Sequence, residues 1–262
     1  MLTASNGWIR IAEVNPPELP DLSHRNLEGA WDHVLITDNV FGKIRVSPYA
    51  FAARITHDVP KVVPTVVVST RDRNILAIES EVRGALGNGV QSFLVVVGDT
   101  HDRVEHMASH GVILAHLRDL QQTLPDFEVG APVRFSRRHL ESRTEGGAQF
   151  LVAGPIIDPE GVERGMEKLQ RAATDPPVFL MAIPPFSARW IERVEGMGAE
   201  TVSADLKQRA EEGGRDFGWK VCAEIERRAR DVGFAGMILM GLRYDTVVKE
   251  AASAWEAASA RF

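Results

Sequence analysis

The amino-acid sequence predicts an α/β protein with the fold of a (β/α)8 TIM barrel, in which eight strands alternate with eight helices. Three observations favour this fold. Eight short apolar runs alternate with segments of helical periodicity. Most of these runs are continuously apolar, as in parallel strands that are covered on both faces. The length of 262 residues suits one barrel, so we predict a single domain over residues 1–262.

The predicted strands are the runs rich in valine, isoleucine and leucine. They cover residues 8–13, 33–37, 64–70, 92–99, 127–133, 149–155, 177–184 and 235–241. Each is short enough for a buried strand. After the first run, Asn15-Pro16-Pro17 prevents the chain from continuing as a helix. The alternative, a doubly wound open sheet, is disfavoured because the first strand is not followed by a glycine-rich dinucleotide turn.

The predicted helices occupy the segments between the strands. They cover residues 47–55, 73–88, 102–120, 137–146, 159–172, 187–196, 206–232 and 246–260. Glycine pairs such as Gly146-Gly147 stand where helices are expected to stop. The long seventh connection, residues 187–232, predicts an extra helix and a break at Gly213-Gly214. Strict alternation of strand and helix requires parallel pairing through crossover connections.

Composition and charge limit the function. A net charge of −6 argues against a general nucleic-acid binder, although local arginines leave room for a small anionic ligand. The single cysteine, Cys222, forms no disulfide framework and no thiolate metal cluster. We therefore expect a reduced, cytoplasmic setting and no metal. The sequence shows no targeting signal and no apolar run of membrane-spanning length, so we expect a soluble protein without a membrane partner.

Candidate site residues follow the predicted strands, because the active sites of such barrels lie at the carboxyl ends of the strands. Glu13 and Asp99 each end an apolar run, where desolvation would raise the pKa of a carboxyl and suit it to proton donation or charge stabilisation. The structural alternatives are that Asp99 caps the helix predicted near Asp102 and that Glu13 pairs with an arginine such as Arg71. From position alone, both interpretations stay open.

Two weaker patterns involve basic residues. Four arginines follow the fifth strand and could hold a phosphate or glutamate tail, although a solvated helix start is an equal alternative: Arg134, Arg137, Arg138 and Arg143. His106 and His110 have the i, i+4 spacing of a metal pair on a helix. The glutamate of the zinc-protease motif is absent, and we interpret this pair as part of a solvated surface.

Five motifs, in this order and spacing, resemble the methylenetetrahydrofolate reductase family. They are Ala12-Glu13-Val14-Asn15-Pro16-Pro17, Ile36-Thr37-Asp38-Asn39, Thr70-Arg71-Asp72-Arg73-Asn74, Val95-Val96-Val97-Gly98-Asp99 and the segment from Gly146-Gly147-Ala148-Gln149-Phe150 to Ile156-Ile157-Asp158. The likeness spans residues 9–240. The most similar variant is the reductase module that some bacteria fuse to a homocysteine methyltransferase.

The resemblance implies a TIM barrel that reduces 5,10-methylenetetrahydrofolate to 5-methyltetrahydrofolate with NAD(P)H, usually through FAD. Glu13 matches the catalytic glutamate, which protonates the leaving nitrogen as the imidazolidine ring opens. Asp99 matches the aspartate that faces pterin and flavin and favours the developing cation. The cofactor-binding residues implied by these motifs are Thr37, Asp38, Asn39, Arg71, Gly98 and Arg143.

The chain also departs from the family pattern. Val67 replaces a histidine on the flavin side of the third strand, and Gly154 replaces a glutamine on the folate side of the sixth. The usual diphosphate-binding positions carry Ser136, His139 and Ser142. These differences leave open whether FAD is bound or hydride passes directly from a reduced nicotinamide or deazaflavin to folate or a related pterin.

A non-catalytic folate- or flavin-binding barrel in a methyl-transfer complex is the alternative. An unrelated barrel lyase or aldolase ranks last, because no lysine ends a predicted strand to form a Schiff base. The sequence also leaves open whether the reductant is NADH or NADPH. It does not decide whether the protein forms a homo-oligomer or binds a methyltransferase partner.

Overall fold

The barrel is closed. A computed structural model describes residues 1–4, 7–21, 23–28, 31–99, 108–124, 126–196, 201–240 and 246–260. Its eight strands pair in parallel in chain order, and the last pairs with the first, which confirms the predicted fold class. The strands are β1 (Ile9–Val14), β2 (His33–Ile36), β3 (Val63–Ser69), β4 (Ser92–Val96), β5 (Glu128–Val133), β6 (Phe150–Ile156), β7 (Val178–Ala182) and β8 (Gly236–Leu239).

Helices connect successive strands and cover the outside of the barrel. They are α1 (Pro48–Asp58), α2 (Ile75–Gly87), α3 (His110–Leu120), α4 (Arg137–Glu145), α5 (Gly161–Leu169), α6 (Ala188–Glu195), α7 (Ala204–Asp231) and α8 (Thr246–Ser259). Short 3₁₀ helices at Ser23–Leu27 and Val40–Gly42 lie in the first two connections. Among the described helices, none contains a stretch both long and apolar enough to cross a bilayer.

The core has two layers because successive side chains of a strand point to opposite faces. In β1, Ile9 and Ile11 belong to the cluster that fills the barrel, while Ala12 and Val14 belong to the larger cluster between strands and helices. Glu13 continues the inward series two residues after Ile11. Its side chain therefore belongs to the carboxyl end of the barrel interior.

The predicted end of the fourth strand is wrong, and the predicted third helix is not continuous. Strand β4 ends at Val96 instead of reaching Asp99, and Gly98 beyond it has a left-handed φ of +88° that does not fit a strand. Helix α3 begins at His110, after the non-helical Ala108 and Ser109, so Asp99 does not cap it. Residues 102–107 of the predicted helix 102–120 lie outside the described residues. The predicted break in the seventh connection is confirmed, because Gly214 interrupts α7 with φ 52° and ψ −137°.

The amino-terminal residues close the end of the barrel opposite to the candidate site. Glu128, at the start of β5, is buried and accepts hydrogen bonds from the backbone amides of Leu2 and Thr3. The Thr3 hydroxyl donates a third bond of 2.6 Å to the same carboxylate. Leu2 itself packs into the interior cluster. A ligand must therefore be sought at the carboxyl ends of the strands.

A buried carboxylate joins β1, α7 and α8. The side chain of Glu226 is 3% exposed and receives two hydrogen bonds from Arg10, at 2.9 and 2.8 Å. Arg230 and Ser259 each donate one more, at 2.7 and 2.8 Å. The Arg10 guanidinium also lies 4.8 Å from the centre of the Trp255 ring. The last helix is therefore held to the barrel through one acidic group.

We expect Glu226→Gln to lower the free energy of unfolding by about 3 kcal/mol, because it removes the charge that compensates a partly buried arginine. Glu163→Gln is the control, since Glu163 is an exposed partner of Arg228 at 3.3 Å and should contribute less than about 0.5 kcal/mol. Urea unfolding measures both. Equal effects of the two substitutions would contradict the role assigned to Glu226.

The same contribution should depend on pH. Burial tends to raise the pKa of Glu226, but hydrogen bonds from Arg10, Arg230 and Ser259 outweigh burial and hold the pKa below its ordinary value of 4.5. A depressed pKa stabilises the folded state fully above pH 4.5, and the stabilisation disappears as the pH falls through the folded-state pKa. The difference between wild type and Glu226→Gln should therefore shrink in acid.

Candidate functional site

Glu13 lies inside the mouth of the barrel. It is 8% exposed, and its position in β1 pairs with Leu35 of β2. Leu35 and Val67 belong to the apolar cluster that fills the barrel below it. The desolvation predicted for Glu13 from the sequence is therefore present, and the structure places this carboxyl where a ligand over the mouth would meet it.

Thr37 connects the ends of β1 and β2. Its amide donates to the carbonyl of Val14 at 3.0 Å, and its hydroxyl donates to the side-chain oxygen of Asn15 at 2.5 Å. The amide and the hydroxyl of Thr37 are therefore both bonded to residues just after Glu13. Thr37 thus fixes the loop that follows Glu13, and its predicted contact with a flavin stays a prediction.

Asp38 and Asn39 form the next part of the rim. The Asp38 side chain is 1% exposed and accepts a 2.7 Å bond from Arg73 and a 2.9 Å bond from the Asn39 amide. Burial raises the pKa of Asp38, and the Arg73 and Arg71 guanidinium groups offset this only in part. Asn39 has a left-handed φ of 47°, and its side-chain oxygen accepts from the backbone of Arg45. Asp38 and Arg73 thus support the rim from within.

Arg71 joins the ends of three strands. It lies directly beyond β3, is buried, and donates to the carbonyl of Asp99 at 2.5 Å and to the carbonyl of Asn39 at 3.3 Å. Its own amide donates to the hydroxyl of Ser69. The Asp99 side chain, in contrast, is exposed. The desolvation predicted for Asp99 is therefore wrong, because the chain leaves the sheet three residues earlier.

Gly98 and Gly154 are both places where a side chain would collide with the backbone or side chains of a neighbouring strand end. A Cβ at Gly98 would lie 2.2 Å from the Ser69 hydroxyl, and one at Gly154 would lie 2.6 Å from the Met181 carbonyl. Their φ angles are +88° and +121°. Gly98 lets β4 approach Arg71 closely. At Gly154, no inward side chain fits without movement of β7.

A basic cluster, consisting of Arg134, His139, Arg143 and His110, lies where β4 and β5 separate. Arg143 donates to the carbonyl of Pro132 at 3.2 Å and to Nδ1 of His110 at 2.7 Å. Burial lowers the pKa of Arg143, and the charge of Arg134 adds to this. Burial and Arg143 likewise lower the pKa of His110 to about 4, so His110 is neutral at pH 7.

The surface interpretation of the histidine pair is wrong for His110, which is buried, while His106 lies outside the described residues. The predicted arginine group is also divided by its contacts. Arg137 forms ion pairs with Glu141 and Asp175, whereas Arg134 and Arg138 are exposed. Only Arg143 and Arg134 therefore share the basic cluster.

The predicted residues fall into three adjoining groups along the rim. Glu13 lies at β1, the network of Thr37, Asp38, Asn39, Arg71 and Gly98 spans the ends of β2 to β4, and Arg143 lies at the gap after β4. Sequence reasoning missed two contributors, Arg73 and His110. Arg73 stood in a quoted motif, but no sequence signal showed that it pairs with Asp38. Within the described part of the chain, no three acidic, histidine or cysteine side chains are arranged to hold a metal.

Comparison of the sequence with models of protein families and with curated proteins gives no match. Among solved structures, the chain is similar to 2,3-dimethylmalate lyase, with a TM-score of 0.56 and 15% identity over 96% of this chain and 81% of that one. It is also similar to oxaloacetate acetylhydrolase, with a TM-score of 0.53 and 11% identity over 95% of this chain and 79% of that one. A third similar structure is a protein cage designed by fusing symmetric oligomeric domains, with a TM-score of 0.57 and 13% identity over 98% of this chain and 73% of that one. At these identities, the likeness shows the barrel fold alone.

We expect Gly98→Ala to lower the free energy of unfolding by about 2 kcal/mol, because the added methyl group meets Ser69 and an L residue is strained at this φ. Gly84→Ala in helix α2 is the matched control, since no atom lies within 4 Å of its added Cβ. That substitution should leave stability unchanged or raise it by up to about 1 kcal/mol. Thermal unfolding compares the two, and equal shifts would rule out the steric explanation.

Proposed function

We propose that the protein is an oxidoreductase of one-carbon metabolism that reduces 5,10-methylenetetrahydrofolate, or a related reduced pterin, to the 5-methyl form with NAD(P)H. The observation that carries this proposal is the burial of Glu13 at the carboxyl end of β1, inside the mouth of a closed barrel. The order of the five sequence motifs supports it independently. The cytoplasmic location stays a prediction, and a homo-oligomer and a methyltransferase partner stay possible partners that the sequence leaves open.

Glu13 is proposed as the general acid. Opening of the five-membered imidazolidine ring needs a proton on the leaving nitrogen, and an apolar environment opposes ionisation of a carboxyl. Glu13 is 8% exposed, and Leu35, its partner in the β1–β2 ladder, belongs to the apolar cluster of the barrel interior. A pterin over the mouth would meet one buried carboxyl, and proton transfer from Glu13 would start the reaction.

Asp99 is proposed as an electrostatic partner at the outer edge of the same mouth. Its carbonyl is fixed by Arg71, so the position of the backbone is determined even though the side chain is exposed. A negative charge there would favour a cation that develops on the pterin. Because water reaches Asp99, we expect its contribution to be smaller than that of Glu13.

The residues at the rim fit an anionic cofactor. The basic cluster offers the charges of Arg143 and Arg134, and the two bonds of Arg143 end on uncharged acceptors. These residues would hold the diphosphate of FAD or of the nicotinamide nucleotide. When bound, such a cofactor supplies the hydride. At the mouth, Val67 and Gly154 offer no polar side chain to a bound ring.

We expect Glu13→Gln to reduce folate turnover at least about 100-fold, because the amide cannot donate the proton that the leaving nitrogen needs. Any transfer of electrons from NADH to a bound flavin should remain, since that step needs no acid at this position. Steady-state folate reduction and NADH oxidation with an artificial electron acceptor measure the two steps separately.

Glu18→Gln is the control for this substitution, because Glu18 is exposed in the loop after β1 and should leave both steps unchanged. Full folate turnover by the Glu13 variant would refute the role of Glu13 as general acid.

The visible spectrum of the purified protein tests the route of the hydride. Flavin absorption bands that are retained on gel filtration are the expected result, since the basic cluster fits a diphosphate. A colourless protein that still consumes NADH in the presence of methylenetetrahydrofolate would instead establish direct transfer. A protein that neither binds flavin nor consumes NADH would contradict the proposed reductase.

A second candidate is a non-catalytic folate- or flavin-binding subunit of a methyl-transfer complex. It is favoured by the mouth itself, where Val67 is apolar and Gly154 leaves no space for a side chain. A stable complex with a methyltransferase, together with no NAD(P)H oxidation, would support it. The lyases among the structural neighbours suggest a third class. A Schiff-base lyase is disfavoured, because none of the six lysines ends a described strand.

A further inference from the structure

The ladder between β4 and β5 is short. Its paired residues are Ser92 with Glu128, Phe93 with Val129 and Leu94 with Gly130. On the far sides, pairing continues as far as Val96 with β3 and Val133 with β6. The ladder between β4 and β5 therefore stops before their carboxyl ends, and we call this unpaired part of the seam the gap between β4 and β5.

Two side chains donate hydrogen bonds to backbone carbonyls that lie beyond the last pair of this ladder. Nε2 of His110 lies 2.8 Å from the carbonyl of Val95, and Nε of Arg143 donates to the carbonyl of Pro132 at 3.2 Å. Across the gap, Nη1 of Arg143 lies 2.7 Å from Nδ1 of His110. Since Arg143 has only donors, Nδ1 must be the acceptor, and Nε2 therefore carries the proton that is donated to Val95.

This arrangement orients Arg143 without neutralising it. A carboxylate that orients an arginine also neutralises its charge. A neutral imidazole accepts a hydrogen bond and leaves the positive charge available. In the described ranges, no carboxylate contacts Arg143. The groups that face the pair are also basic, namely Arg134 and His139. Burial and the charges of Arg143 and Arg134 lower the pKa of His139, and burial and the charge of Arg134 lower the pKa of Arg143. An anion between the two arginines would relieve their repulsion.

We propose that His110 is a positioning residue that holds Arg143 in the gap between β4 and β5 with its charge uncompensated, so that Arg143 binds a phosphate group of a ligand. That this phosphate belongs to a flavin or nicotinamide nucleotide rests on the proposed function. The geometry of the gap does not rest on it.

The test uses inorganic pyrophosphate as the probe and isothermal titration calorimetry of the full chain. Wild type should bind, and Arg143→Gln should bind at least about tenfold more weakly because a charge-assisted contact is lost. His110→Asp should weaken binding to a similar degree, since it orients Arg143 but cancels its charge. His110→Asn, which keeps an uncharged acceptor, should stay within about threefold of wild type.

Arg137→Gln is the matched control, because Arg137 lies in the same helix but is already paired with Glu141 and Asp175. Its affinity for pyrophosphate should stay within about threefold of wild type. The combination of His110→Asp with Arg143→Gln should be no weaker than Arg143→Gln alone, since a positioning residue acts only through its partner. A merely structural role would give additive losses.

Three outcomes would overturn the proposal: no pyrophosphate binding by wild type, equal affinities of the Asp and Asn variants of His110, or additive losses in the double variant. If His110→Asp does not unfold cooperatively, His110→Phe replaces it in the same cycle, because it removes the acceptor. Loss of folate reduction with unchanged pyrophosphate binding would count against the proposed function alone, since binding of the probe needs no turnover.

Discussion

The candidate site depends on one constraint, the closure of eight parallel strands into a single barrel. Parallel strands place all their carboxyl ends on the same rim, and the alternation of side chains directs every second residue inward. Glu13 and Arg71 are far apart in the sequence, yet closure brings the ends of β1 and β3 onto one rim, and Arg143 reaches the end of β5 from helix α4. At the other end, Glu128 holds the amino-terminal backbone against the barrel. Among the described residues, the candidate site residues therefore lie at the end of the barrel opposite to this contact.

On that face, buried charges are used in two different ways. Asp38 and Arg73 neutralise each other within the rim, and Arg71 places its guanidinium on two backbone carbonyls, so these groups hold the loops after β2, β3 and β4 together. Arg143 is oriented instead by neutral acceptors. The first arrangement favours rigidity of the mouth, and the second favours attraction of an anion. Arg143 is only partly buried, so its charge also stays within reach of solvent.

The gap between β4 and β5 shows how an interrupted ladder can serve a site. Backbone carbonyls that lose their strand partners must be satisfied, and here side chains from two neighbouring helices satisfy them. Those side chains are thereby fixed at the mouth with little freedom. Val67 and Gly154, in contrast, add no polar group to the interior, so recognition of a bound ring would depend on shape and on Glu13.

The sequence by itself determined the fold, because the apolar runs, the helical segments and the glycine stops all repeat with one consistent order. It also located Glu13, since a carboxylate at the end of an apolar run needs only local pattern. Tertiary structure decided the rest. Asp99 proved to be exposed because β4 ends at Val96, three residues earlier. His110 proved to be buried, with its ring nitrogens bonded to the Val95 carbonyl and to Arg143. Hydrogen bonds between residues distant in sequence, such as those of Arg71 and Arg143, leave no local pattern to predict them.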